Sequence, residues 1–254
     1  MTCHFDFTGK RVLVTGASQG IGFAVARQFR AAGADTIILA ETAEIFSAAE
    51  RLAGVHPIRC DIADESQVLA AFSEIGALDV LVNNAGYQPR TPVGDISAAG
   101  LADFRRVLDI NIVGTWLVTR AAAASMPRGG RIIMTSSIWG KTGAAEYAGY
   151  TASKHAVIGL ARSLALELGH REITVNCICP GWVDTEGAMW TVRQIAAQQG
   201  RKAEALVDDY LRHQPLPGMM SIEDVASAYL FLASDAARDI TGQAINVDRG
   251  HFIG

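Results

Sequence analysis

The chain has 254 residues, a length typical of one large α/β domain or of two small ones. Half of the residues are hydrophobic and 19% are charged, so the chain can bury a sizeable core and is not expected to be disordered. The formal net charge of −4 argues against nucleic acid or an anionic membrane as the main partner, because both need concentrated positive charge.

Short apolar runs alternate with helical segments along the chain. Seven runs are predicted as strands: Arg11–Thr15, Thr36–Ala40, His56–Cys60, Leu78–Val82, Arg131–Thr135, Thr174–Ile178 and Gln243–Val247. The helices predicted between them are Gly20–Ala32, Ala43–Ala53, Glu65–Glu74, Ala98–Ala124, Tyr147–Leu168 and Ile222–Ala233. Most of the strands are continuously apolar, as is typical of strands covered on both faces. The pattern predicts an α/β fold with a doubly wound parallel sheet, in a single domain over residues 1–254.

One stretch breaks this alternation. From Trp182 to about Met220 no strand is predicted, and two short helical pieces, Met189–Gln199 and Lys202–His213, precede the sequence QPLPGMM. An irregular insertion of this length inside a compact domain is typical of a lid or a binding loop. We therefore expect a substrate-binding insertion at about residues 182–220.

The N-terminal residues, the longest apolar stretches and the cysteines indicate where the protein is located and whether it binds a metal. No signal peptide is predicted at the N-terminus, and no stretch reaches the roughly 18 uncharged apolar residues of a membrane-spanning helix. The four cysteines, Cys3, Cys60, Cys177 and Cys179, include no Cys-x-x-Cys pair, and buried, reduced thiols in a cytoplasmic protein are expected. Cys177 and Cys179 are predicted to lie on one face of a strand. No His, Cys and Asp residues have metal-ligand spacing, so no catalytic metal is predicted.

The first predicted strand ends in the glycine-rich sequence TGASQGIG. Gly16, Gly20 and Gly22 stand at the strand-to-helix turn, where a doubly wound fold binds a dinucleotide. Glycines let the backbone approach a pyrophosphate, whose charge is met by N–H groups at the helix N-terminus. The spacing is neither that of the Gly-x-Gly-x-x-Gly fingerprint nor that of a P-loop, and an ordinary glycine-rich turn is the alternative.

An acidic residue at the end of the second strand is expected to bind the adenosine ribose. Glu41 stands 19 residues after Gly22, directly after TIILA. A carboxylate there repels a 2′-phosphate, which favours NAD over NADP. No Arg or Lys lies in the glycine loop, where Gln19 occupies the variable position, and none directly follows Glu41. An exposed loop glutamate without a ligand is the alternative.

Tyr150 and Lys154 are four residues apart in a strongly helical segment and therefore share one helix face. A free tyrosine titrates near 10, too high for proton transfer at neutral pH. A cation about 4 Å away, at an effective dielectric constant of about 20, contributes about 4 kcal/mol, or roughly 3 pKa units. The pair therefore predicts a tyrosine with a pKa close to neutrality, although a single Tyr-x-x-x-Lys is also common on helix surfaces.

Taken together, four features resemble the short-chain dehydrogenase/reductase family in its form of about 250 residues. They are TGASQGIG, the sequence NNAG from Asn83 to Gly86, Tyr150-x-x-x-Lys154, and PGWVDT from Pro180 to Thr185. The resemblance covers nearly the whole chain and implies a Rossmann-like fold with a bound nicotinamide cofactor. The cofactor contacts it implies are Gly16, Ser18, Gln19, Gly20, Ile21, Gly22, Glu41, Asp61, Ile62, Asn83, Ala85, Gly86, Tyr150, Lys154, Pro180, Gly181, Val183 and Thr185.

The resemblance also implies catalytic roles. Tyr150 donates a proton to a ketone or takes one from an alcohol, and Lys154 lowers the Tyr150 pKa and holds the nicotinamide ribose. Ser137 hydrogen-bonds the substrate oxygen, with Ser136 as the alternative one residue earlier. Asn111 supports a water that links Lys154 to solvent.

Further implications concern the adenosine site, the C-terminus and the assembly. Asp61 is expected to bind the adenine amino group, with Ile62 beside the ring. The C-terminal strand runs INVDRG, where the family commonly has a second glycine, so Arg249 is expected to alter that corner. The family commonly forms tetramers through its long central helices, and the apolar runs Val113–Ala124 and Ala156–Leu168 are compatible with a homotetramer.

The substrate is expected to lie near Ser137 and Tyr150, against the insertion. Six side chains are candidates for the pocket wall: Gln88, Trp139, Glu146, Trp182, Met189 and Trp190. Three tryptophans with a few polar groups favour a polyol, a sugar or a cyclic alcohol. The sequence thus predicts an NAD(H)-dependent oxidoreductase that interconverts a secondary alcohol and its ketone. The alternatives are an NADP(H)-dependent carbonyl reductase of the same family and a non-catalytic NAD(H)-sensing protein.

Overall fold

Seven strands form one entirely parallel sheet in the order β3-β2-β1-β4-β5-β6-β7. The computed structural model describes residues 5–212 and 214–253, so Cys3 and His213 lie outside the described residues. The strands are β1 Arg11–Thr15, β2 Asp35–Ala40, β3 His56–Arg59, β4 Val80–Asn83, β5 Arg131–Thr135, β6 Thr174–Pro180 and β7 Ala244–Val247. All seven predicted strands are present, with ends that differ by at most two residues.

Successive strand residues point to opposite faces of the sheet, and both faces are covered. In β1, Val12 and Val14 belong to the core layer beneath α1 and α9, whereas Leu13 belongs to the opposite layer with α5 and α6. Cys177 and Cys179 both face that second layer and are buried free thiols, as the spacing predicted. A strand with apolar packing on both sides must be apolar throughout, which explains the continuous runs.

The described part of the chain contains nine α-helices. They are α1 Gly20–Ala31, α2 Glu44–Leu52, α3 Glu65–Ile75, α4 Ala98–Leu108, α5 Thr115–Ser125, α6 Ala148–Leu168, α7 Glu186–Gln198, α8 Ala203–Leu211 and α9 Ile222–Ala233. Several begin at a capping side chain. Asp64 accepts from the backbone N–H groups of Ser66 and Gln67 at the start of α3, and Ser221 forms a capping box with Asp224 at the start of α9.

The predicted helix Ala98–Ala124 is interrupted, which corrects the sequence prediction. A π-helical turn, Asp109–Gly114, separates α4 from α5 and contains the buried Asn111. Single π turns of this kind are frequent at functional sites. The segment Ala98–Ser125 is long and apolar enough to cross a membrane. Half of its apolar stretch is buried inside the protein, as in a core helix.

The insertion between β6 and β7 carries α7 and α8. Val192, Ala196 and Leu206 form a small apolar cluster between these helices. One isolated parallel bridge joins Val183 to Met220, so the two ends of the insertion are held together.

The order of the strands indicates where a ligand-binding crevice lies. β1 pairs with β2 on one side and with β4 on the other, so consecutive connections run in opposite directions from β1. In an open parallel sheet this reversal leaves a crevice at the carboxyl ends of the strands, where ligands bind. The predicted doubly wound, Rossmann-like fold is confirmed, and its crevice lies at the glycine loop.

Candidate active site

The glycine loop follows β1 and turns directly into α1. Gly16 has a φ of +65°, and a Cβ built on it would lie 2.6 Å from the Cα of Ala85. A Cβ on Gly22 would lie 2.3 Å from the carbonyl oxygen of Gly16. Only glycine fits either position, because any side chain would collide with backbone. Gln19 precedes α1 without a side-chain cap, and the first turn has no acidic residue, so the N–H groups there suit a pyrophosphate.

Two polar residues fix the loop to the end of β4. The Thr15 hydroxyl accepts hydrogen bonds from the backbone N–H groups of Asn84 and Ala85, each at 3.0 Å. The Asn84 amide donates to the carbonyl oxygens of Thr15 and Gly16, both at 3.2 Å. Sequence reasoning did not single out Thr15 or Asn84. Asn83 differs from its prediction, since its side chain donates to the Thr119 hydroxyl at 2.8 Å inside the core and is 4% exposed.

Glu41 and Asp61, which are predicted to bind the adenosine, lie close together after β2 and β3. Both carboxylates contact the guanidinium of Arg106, at 3.2 Å and 2.9 Å. The Ile62 side chain is buried, and a Cβ on Gly114 would lie 2.7 Å from it, so Ile62 offers no exposed side chain to an adenine ring. That finding corrects the expected contact.

Arginines missed by the sequence reasoning approach the predicted adenosine end of the crevice from distant elements. Arg51 in α2 donates to the Ser18 carbonyl oxygen at 3.0 Å and lies over the Phe23 ring. Arg59 donates to the Glu41 carbonyl oxygen at 3.0 Å. The glycine loop therefore has a cation beside it, although none is present in the loop sequence itself.

The structure brings Tyr150, Lys154 and Ser137 together. Tyr150 and Lys154 lie in the first two turns of α6, and the Lys154 Nζ is 5.4 Å from the centroid of the Tyr150 ring. Ser137 follows β5, and its side chain hydrogen-bonds that of Tyr150. The Ser136 hydroxyl instead donates to the carbonyl oxygen of Lys154 at 2.9 Å. Ser137 is therefore the serine that faces the tyrosine.

The electrostatics of this group differ from the prediction. Burial raises the pKa of Tyr150 to about 12, with the Ser137 hydrogen bond acting in the opposite direction. Burial lowers the pKa of Lys154 to about 8. The Lys154 ammonium donates to the carbonyl oxygen of Thr135 at 2.8 Å. Loss of hydration therefore dominates the pKa of both groups, and the expected Tyr150 pKa near neutrality is wrong.

Asn111 occupies the π turn beside Lys154. Its amide donates to the Tyr87 carbonyl oxygen at 3.0 Å and to the Ser153 hydroxyl at 2.9 Å, and its oxygen accepts from the Tyr87 N–H at 2.8 Å. A Cβ on Gly86 would lie 3.4 Å from both the Asn111 oxygen and the Lys154 Nζ. Asn111 thus links the β4 loop to α6 at the position of the lysine.

The PGWVDT segment closes the other side of the crevice. Pro180 ends β6, and the Gly181 N–H donates to the Val247 carbonyl oxygen at 3.0 Å. Thr185 caps α7, and its methyl group would lie 3.7 Å from a Cβ on Gly20. This segment therefore faces the glycine loop across the place for a dinucleotide.

A cavity of about 460 Å³ lies between these segments. Its wall includes Ile21, Gly86, Gln88, Ser137, Trp139, Tyr150, Pro180, Gly181, Trp182, Val183, Thr185 and Trp190, all of which were predicted to contact cofactor or substrate. Trp139 packs edge-on against Tyr150 and Trp182, and Trp182 stacks on Tyr210 at 4.3 Å. Glu146 and Met189 do not line the cavity, contrary to expectation. Glu146 is exposed and forms an ion pair with Arg90 instead.

Arg249, the departure noted near the C-terminus, has a φ of +56° and donates to the Pro217 carbonyl oxygen at 2.8 Å. It thereby joins the corner after β7 to the end of the insertion.

No group of three or more His, Cys, Asp or Glu residues within 5–212 and 214–253 could hold a metal ion.

The known proteins that this chain resembles are reductases and dehydrogenases, and each match covers nearly the whole chain. A family model described as enoyl-(acyl carrier protein) reductase matches residues 16–251. The chain is 36% identical to the 3-oxoacyl-(acyl-carrier-protein) reductase FabG of Aquifex aeolicus (strain VF5), covering 96% of this chain and 98% of that protein. It is also 36% identical to the mitochondrial borneol dehydrogenase of Lavandula x intermedia, covering 96% and 91%. The crystal structure of a single-residue variant of actinorhodin polyketide ketoreductase with NADPH superimposes with a TM-score of 0.89 at 29% identity, covering 95% and 97%.

Proposed function

This chain belongs to the short-chain dehydrogenase/reductase family, and on that premise we propose that it is an NAD(H)-dependent oxidoreductase that interconverts a secondary alcohol and its ketone. The observation that carries the proposal is the meeting of Tyr150 and Ser137 at a cavity that also reaches Ile21 beside the glycine loop. The Lys154 ammonium lies 5.4 Å from the centroid of the Tyr150 ring. A sensor of NAD(H) has no need for this proton-transfer group, which argues for an enzyme.

The residues define an acid–base mechanism. In the reducing direction, Tyr150 donates its proton to the ketone oxygen while the Ser137 hydroxyl hydrogen-bonds the same oxygen. The raised pKa of Tyr150 keeps it protonated at neutral pH, as this direction requires. Lys154, when charged, stabilises the phenolate that remains. The nicotinamide supplies the hydride chemistry when bound, and the protein supplies position and electrostatics. Oxidation runs through the same groups in reverse.

Glu41 supports the NAD(H) assignment. It lies at the end of β2, at the adenosine end of the crevice, where a carboxylate repels a 2′-phosphate. An NADP(H)-dependent carbonyl reductase is the second candidate, favoured by the Arg51 guanidinium at the Ser18 carbonyl oxygen. The related polyketide ketoreductase, whose structure contains NADPH, also supports that candidate.

The cavity supports a compact, uncharged substrate. Its wall contains three tryptophans and no residue with a formal charge. Apolar walls with a few polar groups bind a ring through its faces and orient it through its hydroxyls. A cyclic alcohol or ketone, a polyol or a sugar is the proposed substrate class, with Trp182 and Trp190 supplied by the insertion between β6 and β7.

The remaining features of the proposal concern the assembly and the location. We propose a homotetramer formed through α5 and α6, in which Trp116 and Leu166 are exposed apolar side chains. We also propose a cytoplasmic location, with a small molecule as substrate and neither nucleic acid nor a membrane as partner.

The direct test is a spectrophotometric screen at 340 nm with NAD and NADP against polyols, sugars and cyclic alcohols, and with the reduced cofactors against the matching ketones. We expect turnover with a cyclic or hydroxylated compound and a higher initial rate with NAD. Glu41→Ala should reduce that preference, whereas Glu50→Ala, which removes an exposed charge on α2, should not. Tight NADH binding without turnover of any compound would favour the sensor instead.

A further inference from the structure

Arg106 makes contacts that the family resemblance did not suggest. It projects from α4, and its Nη2 lies 3.2 Å from the Glu41 carboxylate and 2.9 Å from the Asp61 carboxylate. One guanidinium thus bridges two carboxylates that follow neighbouring strands, β2 and β3. The pKa of Arg106 is raised by its hydrogen bond to Asp61 and by the charges of both carboxylates. The bridge joins the two acidic residues assigned to the adenosine end of the crevice.

Within the described residues, Arg106 is the one partner of the Glu41 carboxylate. The Glu41 side chain is 58% exposed, and two anions close together repel each other. Asp61 is better held, because it also accepts from the Ala63 N–H at 2.9 Å. A guanidinium carries several N–H donors in one rigid plane, so it can hold two carboxylates at once. Arg106 therefore has most influence on Glu41, the residue that would face the 2′ position of the ribose.

The backbone of Arg106 is itself well fixed. Val107 beside it is fully buried, and α4 continues directly into the π turn that contains Asn111. Asn111 is anchored to Tyr87 and Ser153 by hydrogen bonds of 2.8 to 3.0 Å. The arginine therefore extends from a rigid element toward the two carboxylates.

We propose that Arg106 is a positioning residue and a determinant of cofactor preference at the adenosine end. It holds Glu41 and Asp61 in the orientation that receives the ribose hydroxyls and the adenine amino group, and it offsets part of the Glu41 charge that repels a 2′-phosphate. This inference rests on the proposed nicotinamide-dependent function. Loss of Arg106 then weakens the binding of NADH, and it weakens the binding of NADPH more strongly.

Direct binding tests the inference without turnover. Dissociation constants for NADH and NADPH are measured by cofactor fluorescence with the wild type, Arg106→Leu and Arg105→Leu. Arg105 is the matched control, since it is the neighbouring arginine on the same helix and is exposed. We expect Arg106→Leu to raise the dissociation constant of NADH about five- to tenfold and that of NADPH further, with Arg105→Leu unchanged within about twofold.

Two more variants separate positioning from a general effect on folding. Arg106→Lys retains the charge but has a single ammonium, so it should restore only part of the NADH affinity. In a Glu41→Ala background, Arg106→Leu should have a smaller effect on NADH, because the residue it positions is absent. Equal effects in both backgrounds would overturn the role, as would dissociation constants for both cofactors within about twofold of wild type.

The two proposals fail in different ways. A wild type that binds NADPH more tightly than NADH contradicts the NAD(H) assignment. In that case an effect of Arg106→Leu on either dinucleotide, absent from Arg105→Leu and dependent on Glu41, still supports the role of Arg106.

Discussion

At the scale of single residues, burial governs the chemistry of the site. Lys154 is buried and Tyr150 is partly buried at the cavity wall, and each charged form is disfavoured, which raises the pKa of the phenol to about 12 and lowers that of the ammonium to about 8. The attraction between the ammonium and the phenol does not offset this loss of hydration, because the ammonium donates to the Thr135 carbonyl oxygen. Tyr150 is therefore protonated at neutral pH and able to donate a proton.

These two pKa values predict different pH profiles for the two directions. Reduction needs a protonated Tyr150 and a charged Lys154, so its kcat/KM should be level below about pH 8 and fall about tenfold per unit above it. Oxidation needs the phenolate with the charged lysine. That form has the same number of protons as neutral tyrosine with neutral lysine, so kcat/KM for oxidation should rise up to about pH 8 and then become level.

Initial rates at low substrate concentration, measured from pH 6 to pH 10 in buffers of constant ionic strength, check this prediction. A reduction rate that stays level up to pH 10 would contradict the assigned role of Lys154.

At the scale of elements, the site depends on hydrogen bonds between loops that are far apart in sequence. Thr15 at the end of β1 accepts from the two N–H groups that follow β4, and Asn111 in the π turn binds Tyr87 and Ser153. Such bonds tie the glycine loop, the β4 loop and α6 to one another. The geometry of the catalytic group is thereby set by the ends of the strands.

Thr15→Val tests one of these junctions. The substitution keeps the shape of the buried side chain but leaves two partly buried N–H donors without their acceptor. We expect the free energy of unfolding to fall by about 1 to 3 kcal/mol. Thr15→Ser retains the hydroxyl and should cost much less. Urea unfolding at one fixed protein concentration gives the comparison, and equal stability of the valine and serine variants would refute the junction's importance.

The elements also show which features the sequence could predict. The strands and most helix ends follow from local apolar patterns, and Gly16 and Gly22 follow from the turn after β1. The break in the helix at Asp109–Gly114 could not be predicted from the sequence. The sequence DINIVG is compatible with a helix, and the hydrogen bonds that hold Asn111 come from residues 24 and 42 positions away. Arg106 was missed for the same reason, since its partners Glu41 and Asp61 lie 65 and 45 positions away.

The same distinction applies within the site. Tyr150 and Lys154 share a helix face, and their spacing together with the family resemblance identified them as the catalytic pair. The loss of hydration that sets their pKa values depends on tertiary packing, which spacing does not reveal. Asn83 and Asn84 are adjacent in one motif, yet Asn83 points into the core and Asn84 binds the glycine loop. Only the register of β4 in the sheet decides which of the two faces the crevice.

At the scale of the whole molecule, the sheet places the glycine loop, the catalytic group and the insertion at one edge. The faces of α5 and α6 that point away from the sheet remain available for association with another chain. Trp116 is 38% exposed and Leu166 is 88% exposed on these helices. Apolar side chains at such exposure favour burial against another copy of the chain, which supports the proposed tetramer.

Leu166→Glu tests this assembly. A charge at the proposed interface should shift the mass from four chains toward two or one, because an unpaired buried carboxylate is disfavoured. Phe46→Glu is the matched control, since Phe46 is 48% exposed on α2, which packs on the opposite face of the sheet from α5 and α6. Light scattering coupled to size-exclusion chromatography measures both. An unchanged mass for Leu166→Glu would place the interface elsewhere or exclude it.

The central claim is that the Tyr150 hydroxyl transfers the proton. Its most direct test is the turnover of Tyr150→Phe beside Tyr147→Phe, a variant that removes a buried hydroxyl three residues earlier against the same Trp139. We predict that Tyr150→Phe lowers turnover by at least about a hundredfold while the NADH dissociation constant changes little, and that Tyr147→Phe retains most of the activity. Near-normal turnover of Tyr150→Phe would contradict the account.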